Sequence, residues 1–148
     1  MTDHRQLAVE LFSHTWSLLG NNNRSPQQDE EMVHAAHVSR NHWGIAGTPI
    51  HHARGDWQLA RVYAVLGRFS ESEHYAKLYL EACTQNEFDD WDLPFAYEAM
   101  ARSCVVNPER AKQYLAEARK LGEKVANDDD KQWLFTNLDE IAVMINGE

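Results

Sequence analysis

The sequence predicts an all-α protein of about seven helices arranged in antiparallel hairpins. Three observations carry this. Apolar residues recur at helical spacing in seven successive stretches, and none of the chain reads as a strand. Helix starts are written out as Ser25-Pro26, Thr48-Pro49 and Asn107-Pro108, a capping residue followed by proline at the first helical position. Helix stops are written out as Gly20, the Gly44 to Gly47 turn, and Gly67.

The first helix is expected over residues 3–19, with Leu7, Ala8, Leu11, Phe12, Thr15, Trp16 and Leu19 on its buried face. Ser25 and Gln28 then form a capping box, each able to satisfy the other's backbone N–H. The second helix runs to about Trp43, with Met32, Val33, Ala36, Arg40 and Trp43 along one stripe. The third follows Thr48-Pro49 and carries two stripes. One is Ile50, Ala53, Trp57, Ala60 and Ala64; the other is Leu59, Val62, Tyr63 and Leu66. Two stripes mean a helix covered on two sides. Gly67 is the expected left-handed stop, and Ser70 with Glu73 reads as a capping box for the fourth helix.

An acidic, irregular segment follows, from Gln85 to Asp92. It lacks the spacing and central glycine of a calcium loop, so it reads as a solvated connection. The fifth helix is expected at about 93–106, the sixth from Asn107-Pro108, and the seventh after Asn127. Three aspartates, Asp128 to Asp130, favour that last helix start through the helix dipole. An amphipathic final helix suits the closing of a helical stack.

At 148 residues the chain is expected to form one domain, residues 1–148. A net charge of −9 argues against nucleic acid or an anionic membrane as partner. No apolar run approaches the roughly 18 residues that span a bilayer. Cys83 and Cys104 sit among apolar helical neighbours and read as reduced core residues. With no leader-like pattern in MTDHRQLAVELF, a cytoplasmic location is expected.

The stretch Gly47 to Ala82 resembles a tetratricopeptide repeat, a helical hairpin of about 34 residues. With Gly67 at the turn, Leu59, Ala60, Tyr63, Phe69, Ser72, Ala76 and Tyr79 match its large, small and aromatic positions. Trp57 falls one residue later than the repeat's tryptophan. Over most of its length the chain also resembles a set of uncharacterised bacterial tetratricopeptide-like proteins. The matching segments are Ala36 to Trp43, Gly47-Thr48-Pro49, Ala53 to Gln58, Arg61-Val62-Tyr63 and Phe95 to Ala99. That resemblance implies a right-handed superhelix of hairpins with a C-terminal capping helix. It implies no activity.

In such hairpins the first helix lines a concave groove. The resemblance therefore places Arg54, Trp57 and Arg61 there from the third helix, and Phe95, Glu98 and Arg102 from the fifth. Arginines beside aromatic rings suit an anionic peptide: the guanidinium takes a carboxylate and the ring takes an apolar side chain. A protein or peptide partner is thus expected, with no catalytic residue and no cofactor. The competing explanation is intramolecular pairing of these arginines with Asp56, Glu98 or the acidic segment. The alternative function is an enzyme acting on a small molecule or through a metal, built on His34, His37, His42, His51 and His52. Glu31-x-x-His34 and Glu71-x-x-His74 share the spacing of helical di-iron sites. Ser39 is the one candidate nucleophile with histidines close in sequence, but it lies mid-helix without a strained elbow.

Overall fold

In the computed structural model, which describes residues 2–146, the start and stop residues set the helix ends. The helices are α1 (His4–Leu19), α2 (Pro26–Ala46), α3 (Pro49–Val65), α4 (Phe69–Gln85), α5 (Asp92–Ser103), α6 (Pro108–Gly122) and α7 (Asp128–Asn146). No strand occurs among the described residues, and none of these helices is long and apolar enough to cross a membrane.

The caps show why. Asp3 opens α1 by accepting from the Gln6 N–H at 3.0 Å. The Ser25 box is complete: Gln28 N–H donates to Ser25 Oγ at 3.2 Å, and Ser25 N–H donates to Gln28 Oε1 at 2.9 Å. At α3 a histidine takes the reciprocal role, since Thr48 N–H donates to His51 Nδ1 at 3.1 Å. Asn127 caps α7 through the Asp130 N–H at 2.9 Å.

Three boundaries differ from expectation. α2 runs through Gly44 to Ala46, past the expected end near Trp43, and stops at Gly47. The other two differ for local reasons. Gly67 has φ of 75°, the left-handed conformation expected of it. Its N–H donates to Ala64 O at 3.0 Å and the Arg68 N–H donates to Tyr63 O at 2.8 Å. These are the two bonds of a Schellman turn. The turn is so tight that Arg68 also serves as the entry to α4, its carbonyl accepting from Ser72 N–H at 3.1 Å. Ser70 therefore lies inside the first helical turn instead of capping it. Similarly, α5 stops at Ser103, short of residue 106. Pro108 disfavours helical geometry at the residue before it, and Asn107 adopts φ −117°, ψ 86° to cap α6.

Contacts divide the chain into two compact units, Met1–Tyr75 and Ala76–Glu148, with the boundary inside α4. The first is built on Leu18, Met32, Ala36, Leu59, Val62 and Tyr63, flanked by Leu19, Val33, Leu66 and Tyr75. Buried polar side chains tie its helices together. Ser39 Oγ in α2 donates to Ala8 O in α1 at 2.8 Å. Gln58 in α3 donates to Phe12 O at 2.8 Å, and Ser72 in α4 donates to Ala60 O at 2.7 Å. In the second unit Phe95, Met100, Leu134, Leu138 and Ile141 are fully buried. Its acidic segment is stitched down by Asp92, which accepts from buried Tyr79 Oη at 2.7 Å and from Asp89 N–H at 3.1 Å. Neither cysteine is in a disulfide.

Gly67 offers a clean measurement of backbone strain, because a Cβ there would meet nothing within 4 Å. Gly67→Ala should cost about 1–2 kcal/mol, all of it from the positive φ. Urea unfolding measures it. A cost near zero would show that the α3–α4 turn relaxes to another conformation.

Candidate functional site

Three of the expected groove residues share a face of α3. Arg54, Trp57 and Arg61 are spaced by three and four, so the helix period aligns them. Trp57 is 4% exposed, and its ring lies 5.4 Å from that of Trp16 in α1 at an interplanar angle of 57°. Phe12 meets Trp16 edge-on at 6.3 Å. The Arg61 guanidinium stands 5.9 Å over the Trp16 ring. Both arginines are half-buried, as are Phe12 and Trp16. The first helices of two successive hairpins thus form an aromatic platform edged by cations, within the first unit.

Phe12 and Trp16 were expected on the buried face of α1. The fully buried residues of α1 are instead Ala8, Thr15 and Leu18, small or at the hairpin end, so the two rings turn toward α3 at the edge of the core. Sequence reasoning missed them as site residues because an apolar ring on a helix is read as core. The signal was the aromatic pair at a spacing of four, on the helix preceding Trp57 by one hairpin.

The α5 residues are placed differently. Phe95 is buried between Trp91, at 5.9 Å, and Trp133, at 4.9 Å. Glu98 is 0% exposed and Arg102 4%. Arg102 donates to Glu98 Oε1 at 3.0 Å, to Glu140 Oε1 at 3.2 Å, and to both the carbonyl and the side-chain oxygen of Asn137 at 3.4 Å. Burial alone would push the guanidinium down; the Glu98 and Glu140 carboxylates outweigh it and hold the proton more firmly. The expectation put Phe95, Glu98 and Arg102 on an open groove. The structure puts them inside the second unit, because α7 packs against α5 and covers the face that carries them. Asp56, expected as a partner of Arg54 or Arg61, is paired with Arg40 at 2.9 Å.

The histidines do not converge on one centre. His34 is exposed and reaches Glu30 at 3.7 Å. His42 Nδ1 lies 2.8 Å from His4 Nδ1. His51 stacks on Trp43 at 4.4 Å while capping α3. The His52 Nε2 is buried with no hydrogen-bond partner among the described residues. Glu31 of the first Glu-x-x-His pair contacts His14 at 3.1 Å. No group of three His, Cys, Asp or Glu side chains that could hold a metal ion exists among the described residues. The cause is helix geometry, which turns successive histidines of α2 to different neighbours. Ser39 is buried and spends its hydroxyl on Ala8 O.

One histidine enters a polar cluster on the other side of α3. His37 Nε2 is 2.7 Å from Tyr63 Oη, and its ring meets Tyr63 and Tyr75 edge-on at 5.8 and 5.9 Å. The two tyrosine rings are parallel at 5.9 Å. The Arg40–Asp56 pair lies across Gly55, where a Cβ would come within 2.7 Å of Arg40 Cδ. Burial pushes Asp56 up, opposed by the charge and hydrogen bond of Arg40. Burial also pushes Tyr75 up, and pushes His37 down with help from the His34 and Arg68 charges.

No protein-family model, curated protein or solved structure matches the chain.

Two outcomes follow from these placements. Arg102→Ala removes a buried guanidinium that donates to Glu98, Glu140 and Asn137, which should cost about 3–5 kcal/mol in urea unfolding. Glu98→Leu together with Arg102→Leu should recover much of that, since neither half of the ion pair then remains buried; a single-variant loss under about 1 kcal/mol would show that water reaches the pair. His37 supplies a pH dependence. The unfolded chain binds a proton on this imidazole near 6.5, the folded chain only at lower pH. Its contribution is therefore fully present above 6.5 and is lost as pH falls below that value. The groups facing it are His34 on α2, Tyr63 on α3, Arg68 and Tyr75. Melting temperature should drop less between about pH 7.5 and about pH 5.5 in His37→Gln than in the parent. Equal drops would show that His37 does not set the acid sensitivity.

Proposed function

We propose that this chain is a non-catalytic, tetratricopeptide-like binding module that captures an anionic peptide segment on the α1–α3 face. On this view the hairpins are successive repeats of a right-handed superhelix and α7 is its cap. The Schellman turn at Gly67 and the small-residue contact of Ser72 with Ala60 support it. The single observation that carries the binding proposal is the Arg61 guanidinium over Trp16, beside Trp57. Stacking uses the flat face of a guanidinium, whereas its N–H donors lie in the plane. Arg61 beside the ring supplies the cation that a carboxylate of a bound segment would meet. Arg54 lies two turns away on the same face, roughly 10 Å along the axis. An extended peptide with two acidic groups, or one acidic group and a chain end, fits that spacing. The aromatic platform supplies contact for an apolar side chain between them.

Phe95, Glu98 and Arg102 take no part in this proposal, because they build the interior of the second unit. The alternative, a catalytic or metal centre made of His34, His37, His42, His51 and His52, has less support. His37, His42 and His51 contact Tyr63, His4 and Trp43, three separate neighbours.

Each partly exposed arginine contact contributes about 1 kcal/mol at most, so affinity should be micromolar and should weaken with salt. The experiment compares fluorescent peptides of acidic, neutral and basic composition on the parent and on Arg54→Ala/Arg61→Ala. Acidic peptides should bind the parent selectively, and the double variant should lose them at unchanged melting temperature. Retained binding in the double variant, or a lowered melting temperature with binding intact, would make the arginines structural and end the proposal.

A further inference from the structure

We propose that the anionic segment taken by the α1–α3 platform is the acidic segment of a second copy of this chain, centred on Glu87-Phe88-Asp89-Asp90, so that copies associate head to tail. This occupant presupposes the peptide reading of the platform given above.

Charge is divided unequally between the two compact units. Met1–Tyr75 carries six arginines and no lysine against eight carboxylates, and it holds all eight histidines. Ala76–Glu148 carries eight arginines and lysines against fifteen carboxylates. With histidine neutral, the first unit stands at −2 and the second at −7. A platform edged by cations on one unit and a surplus of acid on the other are the complements a head-to-tail contact needs. Such a contact joins two different surfaces, so it extends into longer chains or closes into a ring.

The segment has the pattern the platform asks for. Residues 86–90 lie between α4 and α5, outside any helix. Asn86, Glu87, Asp89 and Asp90 are exposed, and Phe88 is half-buried among them. Glu87 and Asp90 are three residues apart, which extended chain spans by up to about 10 Å. Arg54 and Arg61 are separated by roughly the same distance along α3. Phe88 falls between the two carboxylates in sequence, as Trp57 falls between the two arginines. The segment is also held before any contact: Ala126 N–H donates to Asp90 Oδ2 at 2.9 Å, and Tyr79 Oη donates to Asp92 Oδ1 at 2.7 Å. Prior ordering lowers the entropic cost of binding. A carboxylate accepts several bonds, so Asp90 keeps an oxygen for a guanidinium. The other acidic run, Asp128 to Asp130, lies in the first turn of α7 and has no apolar residue among its acids.

Two copies at −9 each repel one another, and that repulsion reaches further than the contact. At about 0.15 M salt the Debye length is about 8 Å, which damps the repulsion and leaves close pairs in place. Self-association should be weak, with a dissociation constant of about 0.1–1 mM.

The test is sedimentation equilibrium of the full chain at about 0.15 M salt, over concentrations that bracket that constant. Mean mass should rise with concentration, and a synthetic peptide of residues 85–92 should bind the chain and reverse the rise. Glu87→Lys should weaken association at least about fivefold, the equivalent of one partly exposed ion pair, at unchanged melting temperature. Arg54→Glu/Arg61→Glu should weaken it likewise. Mixing that variant with Glu87→Lys/Asp90→Lys should restore an association that neither shows alone. If Asp90→Lys unfolds the chain, the single Glu87→Lys variant takes its place in the mixture. A chain that stays monomeric at every concentration, or undiminished association in Glu87→Lys, overturns self-capture. Acidic peptides that still bind such a monomer leave the peptide reading standing; if none binds, both readings fall.

Discussion

Close approach of helix backbones is the constraint on which this structure depends. Where neighbouring helices meet, the residues are small: Ala8, Ala36, Ala53, Ala60, Ala76, Ala96, Ala101, Ala111 and Ala118 are all at most 1% exposed. At that distance a serine hydroxyl reaches across to a carbonyl already engaged in its own helix. Ser39 does so on Ala8 and Ser72 on Ala60. The carbonyl has a second lone pair, so the bond adds to the helix ladder without taking from it. Each contributes about 1 kcal/mol, yet each also fixes the rotation of one helix against another. Larger side chains would separate the helices and change which residues face which.

That rotation decides the fate of each arginine. Arg40 crosses α3 only because Gly55 leaves no Cβ in its path, and it ends on Asp56. Arg102 is carried inward, where its charge is tolerated because Glu98, Glu140 and Asn137 surround it. Arg61 is turned onto the face of Trp16. The same side chain type thus serves as a half-buried strut, a core ion pair and a cation over a ring. Composition could not separate these outcomes; the one local difference is four residues back, where Arg102 has Glu98 and Arg61 has Trp57.

The legible part of the fold was the part encoded by short-range chemistry. Capping by Ser25 and Gln28, the left-handed Gly67, and the proline starts act within four or five residues, and all stand as expected. Ser70 misled because its capping motif competes with the Schellman bond of Arg68 to Tyr63, which fixes the entry to α4 first. Side-chain placement was legible on α3, where Arg54, Trp57 and Arg61 follow one helix face. It was not legible on α5, because the position of α7 is a long-range fact: Asn137 and Glu140 lie 35 and 38 residues from Arg102. The histidines show the same limit. Five within a short stretch suggest one centre, but a helix and a tight turn disperse them, and His42 finds His4 at the far end of the hairpin.

α1 is the element in which these local facts meet. It supplies Trp16 to the platform under Arg61 at one end and His4 to the pair with His42 at the other. It is held by a hydroxyl bond from α2 and an amide bond from α3, to Ala8 and Phe12, both at carbonyls and neither to a side chain. Carbonyl anchoring adds to the packing of Ala8, Thr15 and Leu18 without calling on the aromatic side chains of the helix. The aromatic and imidazole groups of α1 can then occupy the edges of the core, half-buried, where rings are held but still meet solvent. A helix anchored through its side chains would have had to bury them.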